Sequence, residues 1–214
     1  RTKRACLIGV IVPKINSESI SRITEGIGQI LAKSGYQMLL TITNNNSSKE
    51  LEYVDLFEAY PVDGIILVGT VLTRAHKKKL KECKVPIVVI GQYTKETSCV
   101  YHDDYGAAKA LAEQVGREAS GRVAYIGVTR EDKAAGAARE DGFREGLKEV
   151  GKELEESCLR RAKFTMESGY EQAVDLLEKE HDIDIISCAT DTIAAGAIEA
   201  IAQYSPERKI QVTG

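Results

Sequence analysis

The chain has 214 residues, enough for one large or two modest α/β units. Hydrophobic residues make up 43% and charged residues 29%, and a formal net charge of -3 argues against a nucleic-acid-binding face within this segment. No run approaches the ~18 apolar residues that span a bilayer, so no membrane partner is expected.

The first series reads as strand 5–12, helix 18–34, strand 36–42, helix 47–60, strand 63–68, helix 73–83, strand 86–91 and a short strand 98–101. The strands are apolar without alternation, as in L-I-G-V-I-V at 7–12 and V-D-G-I-I-L-V-G at 62–69. Such runs are buried on both faces, which predicts parallel sheets covered by crossover helices. In the first helix Ile20, Ile23, Ile27, Ile30 and Leu31 form a stripe expected to pack on the sheet. A second series follows: helix 105–117, strand 122–127, helix 134–150, a short strand near 158–162, helix 167–180, strand 183–188, helix 192–203 and strand 209–213. Two such series meeting at Asp103-Asp104-Tyr105-Gly106 predict two lobes, 1–102 and 103–214, with a ligand cleft between them.

The five cysteines (Cys6, Cys83, Cys99, Cys158 and Cys188) are odd in number and scattered. Cys6 and Cys188 fall in apolar strands and read as buried small hydrophobes, which favours a reducing, cytoplasmic location. His76, His102 and His181 are isolated, read as surface or capping residues, and no Cys or His cluster has metal-ligand spacing. Neither G-x-G-x-x-G after a strand, nor G-x-x-x-x-G-K-[ST], nor G-x-S-x-G occurs, and no nucleophile is paired with a base. The expectation is a non-enzyme with no catalytic residue, cofactor or metal. The basic run from Arg74 to Lys81 reads as a solvated helix face, because Leu72 and Leu80 keep an inward stripe.

Several segments resemble the effector-binding core of the lactose/galactose repressor family. They are I-G-V-I-V-P after Arg1-Thr2-Lys3-Arg4, V-D-G-I-I-L at 62–67, Arg139 three residues before Gly142-Phe143, Ser168-Gly169-Tyr170, and C-A-T-D-T-I-A-A-G-A at 188–197. The likeness runs through essentially the whole chain. Within the family, Cys-Ala-Thr-Asp-Thr and the Tyr101 to Gly106 segment are most similar to repressors of trehalose or sucrose operons. Two departures stand out: Ser17-Glu18-Ser19-Ile20 replaces the common N-P-F-F, and Gly91-Gln92 replaces the frequent Asp-Arg.

The resemblance implies two Rossmann-like parallel-sheet lobes of the periplasmic-binding-protein-like type I, C-terminally incomplete here, with a DNA-binding headpiece absent from the chain. It implies a sugar-responsive bacterial repressor that partners a sugar or sugar phosphate, operator DNA through the headpiece, and a second copy of itself as a homodimer. A secreted sugar-binding protein of a transporter is the alternative with the same fold. Ligand in such sheets lies beyond the carboxyl ends of the strands. The effector contacts implied there are Lys14, Ser17 and Ser19 after strand one, Gln92 after strand four, Arg139, Phe164, Thr190 and Asp191. The Arg139 guanidinium would bridge adjacent hydroxyls, Phe164 would stack on the sugar ring, and Lys14 would meet a phosphate, which points to a disaccharide or its 6-phosphate. Each has a plainer reading as well: Lys14 as a snorkelling surface lysine, Ser17, Ser19 and Asp191 as helix caps, Phe164 as core.

Overall fold

The computed structural model describes residues 5–214; the basic Arg1-Thr2-Lys3-Arg4 segment lies outside them. The chain divides into two compact units, Arg1–His102 and Asp103–Gly214.

The first unit holds β1 (Leu7–Val12), α1 (Glu18–Lys33), β2 (Gln37–Ile42), α2 (Ser47–Ala59), β3 (Gly64–Val68), α3 (Arg74–Glu82), β4 (Ile87–Ile90) and β5 (Ser98–Val100). Its strands form one sheet in the order β2-β1-β3-β4-β5, every neighbouring pair parallel. Alternate residues of β1 serve opposite faces. Ile11 joins Phe57 of α2 and Leu80 of α3, whereas Val10 and Val12 lie under Ile20, Ile23 and Ile27 of α1. Two expectations need correction. First, β2 is an edge strand with Gln37 and Leu39 exposed, because β1 flanks it on one side only. Second, the α1 stripe is not covered along its whole length: Ile30 is 64% exposed, and no residue of the helix is fully buried.

The second unit holds α4 (Asp104–Glu118), β6 (Arg122–Gly127), α5 (Arg139–Glu149), β7 (Leu159–Arg161), α6 (Met166–Lys179), β8 (Ile183–Cys188), α7 (Asp191–Tyr204) and β9 (Gln211–Thr213). Its sheet runs β7-β6-β8-β9, again all parallel. One core fills it, centred on Ile126, Phe143, Leu147, Leu176, Ile186 and Ile193. Helices α4 and α5 approach closely, as do α6 and α7, and glycines permit both contacts. A Cβ on Gly142 or Gly146 of α5 would strike the backbone of Tyr105 or Lys109 of α4, and one on Gly196 would strike that of Met166.

Short polar side chains start these helices. Asn46 accepts from Ser48 and Lys49 N–H after Asn44 and Asn45 take left-handed turns (φ 54 and 59), a conformation asparagine tolerates. Thr73, Asp103, Thr165 and Thr190 cap α3, α4, α6 and α7 likewise. The helix expected over 134–150 has a more particular beginning: a π-helical turn, Lys133–Ala138, precedes α5. Asp132 caps that turn through Ala134 and Ala135 N–H. No helix among the described residues is long and apolar enough to cross a membrane.

Candidate functional site

Both sheets wind alike. Strand order reverses between β1 and β3 in one unit and between β6 and β8 in the other. Where two neighbouring parallel strands send their connections to opposite faces, a crevice opens beyond their carboxyl ends, and ligands of open α/β sheets bind there. The segment leaving β1 at its switch point carries Lys14, Ser17 and Ser19. The segments leaving β6 and β8 carry Arg139, Thr190 and Asp191. Gln92 follows β4 and Phe164 follows β7, each one strand out from a switch point.

Within the second unit the geometry is specific. Arg139 opens α5 and spans its switch point: Nε donates to Asp104 Oδ1 at 2.7 Å and Nη1 to the Ala189 carbonyl at 2.5 Å. The arginine side chain is 34% exposed and the Asp104 side chain 7%. A guanidinium carries five N–H donors in a fixed plane, so two anchored donors hold the rest in one orientation. Thr190 Oγ1 accepts from Ile193 N–H at 3.4 Å, so the cap of α7 falls to Thr190. This corrects the capping reading of Asp191, which is the exposed first residue of the helix.

Tyr125 of β6, which feels the charge of Arg139, is 3% exposed, its ring stacked on Phe143 with centroids 4.7 Å apart. The ring extends along the strand into the space over Gly127, where a Cβ would meet it at 2.9 Å. Its hydroxyl finds no hydrogen-bond partner among the described residues, and burial pushes its pKa up against the lowering effect of Arg139. Phe164 is half-buried against the same core, so part of its ring is spent on packing.

On the first unit, Lys14 is half-buried. Ser17 stands at the N-cap position of α1 but makes no capping hydrogen bond; its hydroxyl lies 3.2 Å from that of Ser19. Gln92 is 4% exposed, next to Gly91 at φ +88. A polar network of this unit escaped the sequence reading. His76 is buried, not superficial: Nδ1 lies 2.8 Å from Thr73 Oγ1 and Nε2 lies 3.2 Å from Glu50 Oε2, while Thr70 donates to Glu50 Oε1 at 2.9 Å. Leu80 and His76 are the inward residues of α3, and the neighbouring lysines stay outward, with Lys79 paired to Asp55 and Glu58 of α2. Cys6 is another correction. It is exposed at φ 53 just ahead of β1, whereas Cys188 is buried in β8 and its thiol is pushed up to about 12 by burial.

Asp104 and the Ala189 carbonyl, which hold Arg139, are the groups that sequence reasoning missed. Asp104 lay within a quoted motif, but nothing in residue spacing says that it reaches Arg139, 35 positions away.

Tandem doubly wound α/β units with polar side chains gathered at their switch points define a small-molecule-binding architecture of the periplasmic-binding-protein class. Residues 5–209 match the model of the family described as periplasmic binding proteins and sugar binding domain of LacI family, and the chain belongs to that family. The sucrose operon repressor of Staphylococcus xylosus is 29% identical over 209 residues, covering 98% of this chain and 63% of the repressor. The chain thus spans under two thirds of that relative's length. The crystal structure of transcription regulator CcpA of Lactococcus lactis superposes with a TM-score of 0.84 at 26% identity, covering 97% of this chain and 78% of that one. The transcriptional regulator CelR-cellobiose complex shares the fold, with a TM-score of 0.86 at 23% identity over 99% of this chain and 68% of its own. These relatives are transcriptional regulators, not enzymes.

Proposed function

We propose that this chain is the effector-binding core of a cytoplasmic bacterial repressor of a sugar-utilisation operon, and that its effector is a disaccharide or the 6-phosphate of one. The single observation that carries the reading is Arg139, anchored by Asp104 and Ala189 at a topological switch point with donors to spare. Neighbouring sugar hydroxyls offer acceptors at the spacing a guanidinium edge can bridge, and an arginine already held in place loses little entropy on binding them. Thr190 and Asp191, at the adjoining β8 strand end, add a hydroxyl and a carboxylate. Phe164 offers the exposed part of its ring to an apolar sugar face. In the first unit Ser17, Ser19 and Gln92 are assigned to hydroxyls, and Lys14 to a phosphate.

The full protein would act as a homodimer on operator DNA through a separate headpiece. The effector acts by binding two arrangements of the protein with different affinity and so shifting their populations; equal affinity would shift nothing. A secreted sugar-binding protein has the same fold, but the similarity to a sucrose operon repressor over 98% of the chain favours the regulator.

Calorimetry with sucrose, trehalose and their 6-phosphates tests the proposal. One of the four is expected to bind, and failure of all four sinks the disaccharide assignment. Lys14→Ala is expected to weaken the phosphosugar by about tenfold while sparing the unphosphorylated sugar. Equal effects on both would remove Lys14 from the phosphate role.

A further inference from the structure

We propose that Glu140 is a positioning residue of the effector site: a buried carboxylate that fastens the loops leaving β6 and β7 to the start of α5, and thereby sets where Arg139 and Phe164 stand. The functional half of this inference rests on the effector reading above; the mechanical half does not.

Glu140 follows Arg139 directly and is 2% exposed. Arg161, the last residue of β7, grips both its oxygens: Nη2 donates to Oε1 at 2.9 Å and to Oε2 at 2.8 Å, and Nε donates to Oε2 at 3.1 Å. Arg130, in the segment after β6, brings Nη1 to 3.1 Å from Oε1 and also holds Asp141 at 2.9 Å. Arg144, one turn further along α5, lies 3.5 Å from Oε1 and reaches outward to Glu156 at 2.7 Å and to the Leu154 carbonyl at 3.2 Å. Three guanidinium groups from three segments therefore converge on one carboxylate.

Glu140, Asp141 and Glu156 match the three arginines in charge, so the cluster offers no surplus charge to an anion. It does offer a geometrical constraint. A planar fork on a carboxylate fixes distance and angle together; the Glu140 side chain is 3% exposed, so its oxygens are turned to the arginines and away from water, although Arg161 and Arg130 are themselves 43% and 40% exposed. Buried ion pairs contribute little net stability compared with well-packed apolar groups, because desolvation offsets the attraction. The packing of Phe143 and Leu147 already seats α5 on the sheet. What Glu140 adds is the registration of two loops against the helix start. Arg161 is three residues ahead of Phe164, and Arg130 leads into the π-helical turn that delivers Arg139.

The test compares Glu140→Gln, which keeps the shape and removes the charge, with Arg161→Lys, which keeps the charge and removes the fork. Hydrogen exchange, urea unfolding and calorimetry with the same four sugars are applied to the full-length protein. Glu140→Gln is expected to speed amide exchange at 128–134 and 161–165 about tenfold, with the rest of the second unit within twofold. Affinity for whichever sugar binds the parent is expected to fall about five- to tenfold, from lost preorganisation. Arg161→Lys should loosen 161–165 alone, with a smaller loss of affinity; if Glu140→Gln fails to fold, this variant decides the matter. Unchanged exchange in the two loops, or a loosening spread evenly over the unit, overturns the tie. Loosened loops with sugar affinity within twofold of the parent overturn the positioning role. If no sugar binds the parent, the effector reading fails, and exchange still decides whether Glu140 ties the loops.

Discussion

Arg139→Lys separates the structural tie of this arginine from its grip on a ligand. In the protein, Nε and Nη1 satisfy Asp104 Oδ1 at 2.7 Å and the Ala189 carbonyl at 2.5 Å. A lysine ammonium is a single point and cannot reach both acceptors in this geometry. Hydrogen bonds to charged groups contribute about 1.5–3 kcal/mol each, and the arginine is 34% exposed, so solvent takes back part of the sum; a loss of about 2 kcal/mol is expected. For a protein of this size that lowers Tm by about 4–8 °C, read by calorimetric scanning or as a urea midpoint at constant m. Ligand contact adds a separate loss. Two hydrogen bonds to sugar hydroxyls at about 1 kcal/mol each correspond to roughly thirtyfold in Kd. Asp104→Asn should give a similar loss of stability with a smaller loss of affinity, since it loosens the arginine without removing it. If Arg139→Lys loses stability but binds the sugar within twofold of the parent, the arginine is a structural strut and the site lies elsewhere. If stability is unchanged, the Asp104–Arg139 tie itself is refuted.

Three further outcomes concern packing, titration and thiol access. Gly146→Ala places a methyl group against the Lys109 carbonyl and the Ala112 side chain, so α4 and α5 must part; a loss of about 1–3 kcal/mol is expected by urea unfolding, and a neutral result would mean that the helices shift apart freely. Burial pushes the Cys188 thiol up to about 12 from an ordinary 9.0. The folded pKa exceeds the unfolded one, so the neutral thiol's contribution is whole below about pH 9 and is lost as pH climbs towards 12. Cys188→Ala should flatten that alkaline limb of the urea midpoint, and a limb of the same slope in both proteins would remove Cys188 as its cause. In the unsubstituted protein at pH 8, Cys6 should react with a thiol reagent at once and Cys188 only on unfolding.

Much of the architecture was legible because parallel sheets write themselves locally. Residues 7–12 and 64–68 are apolar without alternation, the pattern of a strand covered on both faces. The helix starts were legible to within a residue or two, but their caps were not: Thr73, Thr165 and Thr190 each accept from the N–H three positions further on, and for the last of these helices the sequence pointed to Asp191 instead. The exposure of Leu39 was not legible. Whether a strand lies at the edge of a sheet depends on which strands flank it, and residues 35–40 look the same in either place.

The candidate site divides along the same line. By itself, the sequence determined the fold class and the strand ends where a ligand would be sought, because strand, loop and helix signals all act within a few residues; it singled out Lys14, Arg139, Thr190 and Asp191 only through the motifs that resemble the repressor family. Only the tertiary structure decided what those candidates touch. Arg139 meets Asp104 and Ala189 from 35 and 50 positions away, and Glu140 gathers Arg130 and Arg161 from two different strand ends. His76, which reads as a surface residue, is enclosed with Glu50 because α2 and α3 pack on one face of the sheet. Charge pairing of this kind is set by chain crossings that bring distant side chains within about 3 Å, and nothing in local spacing encodes that distance.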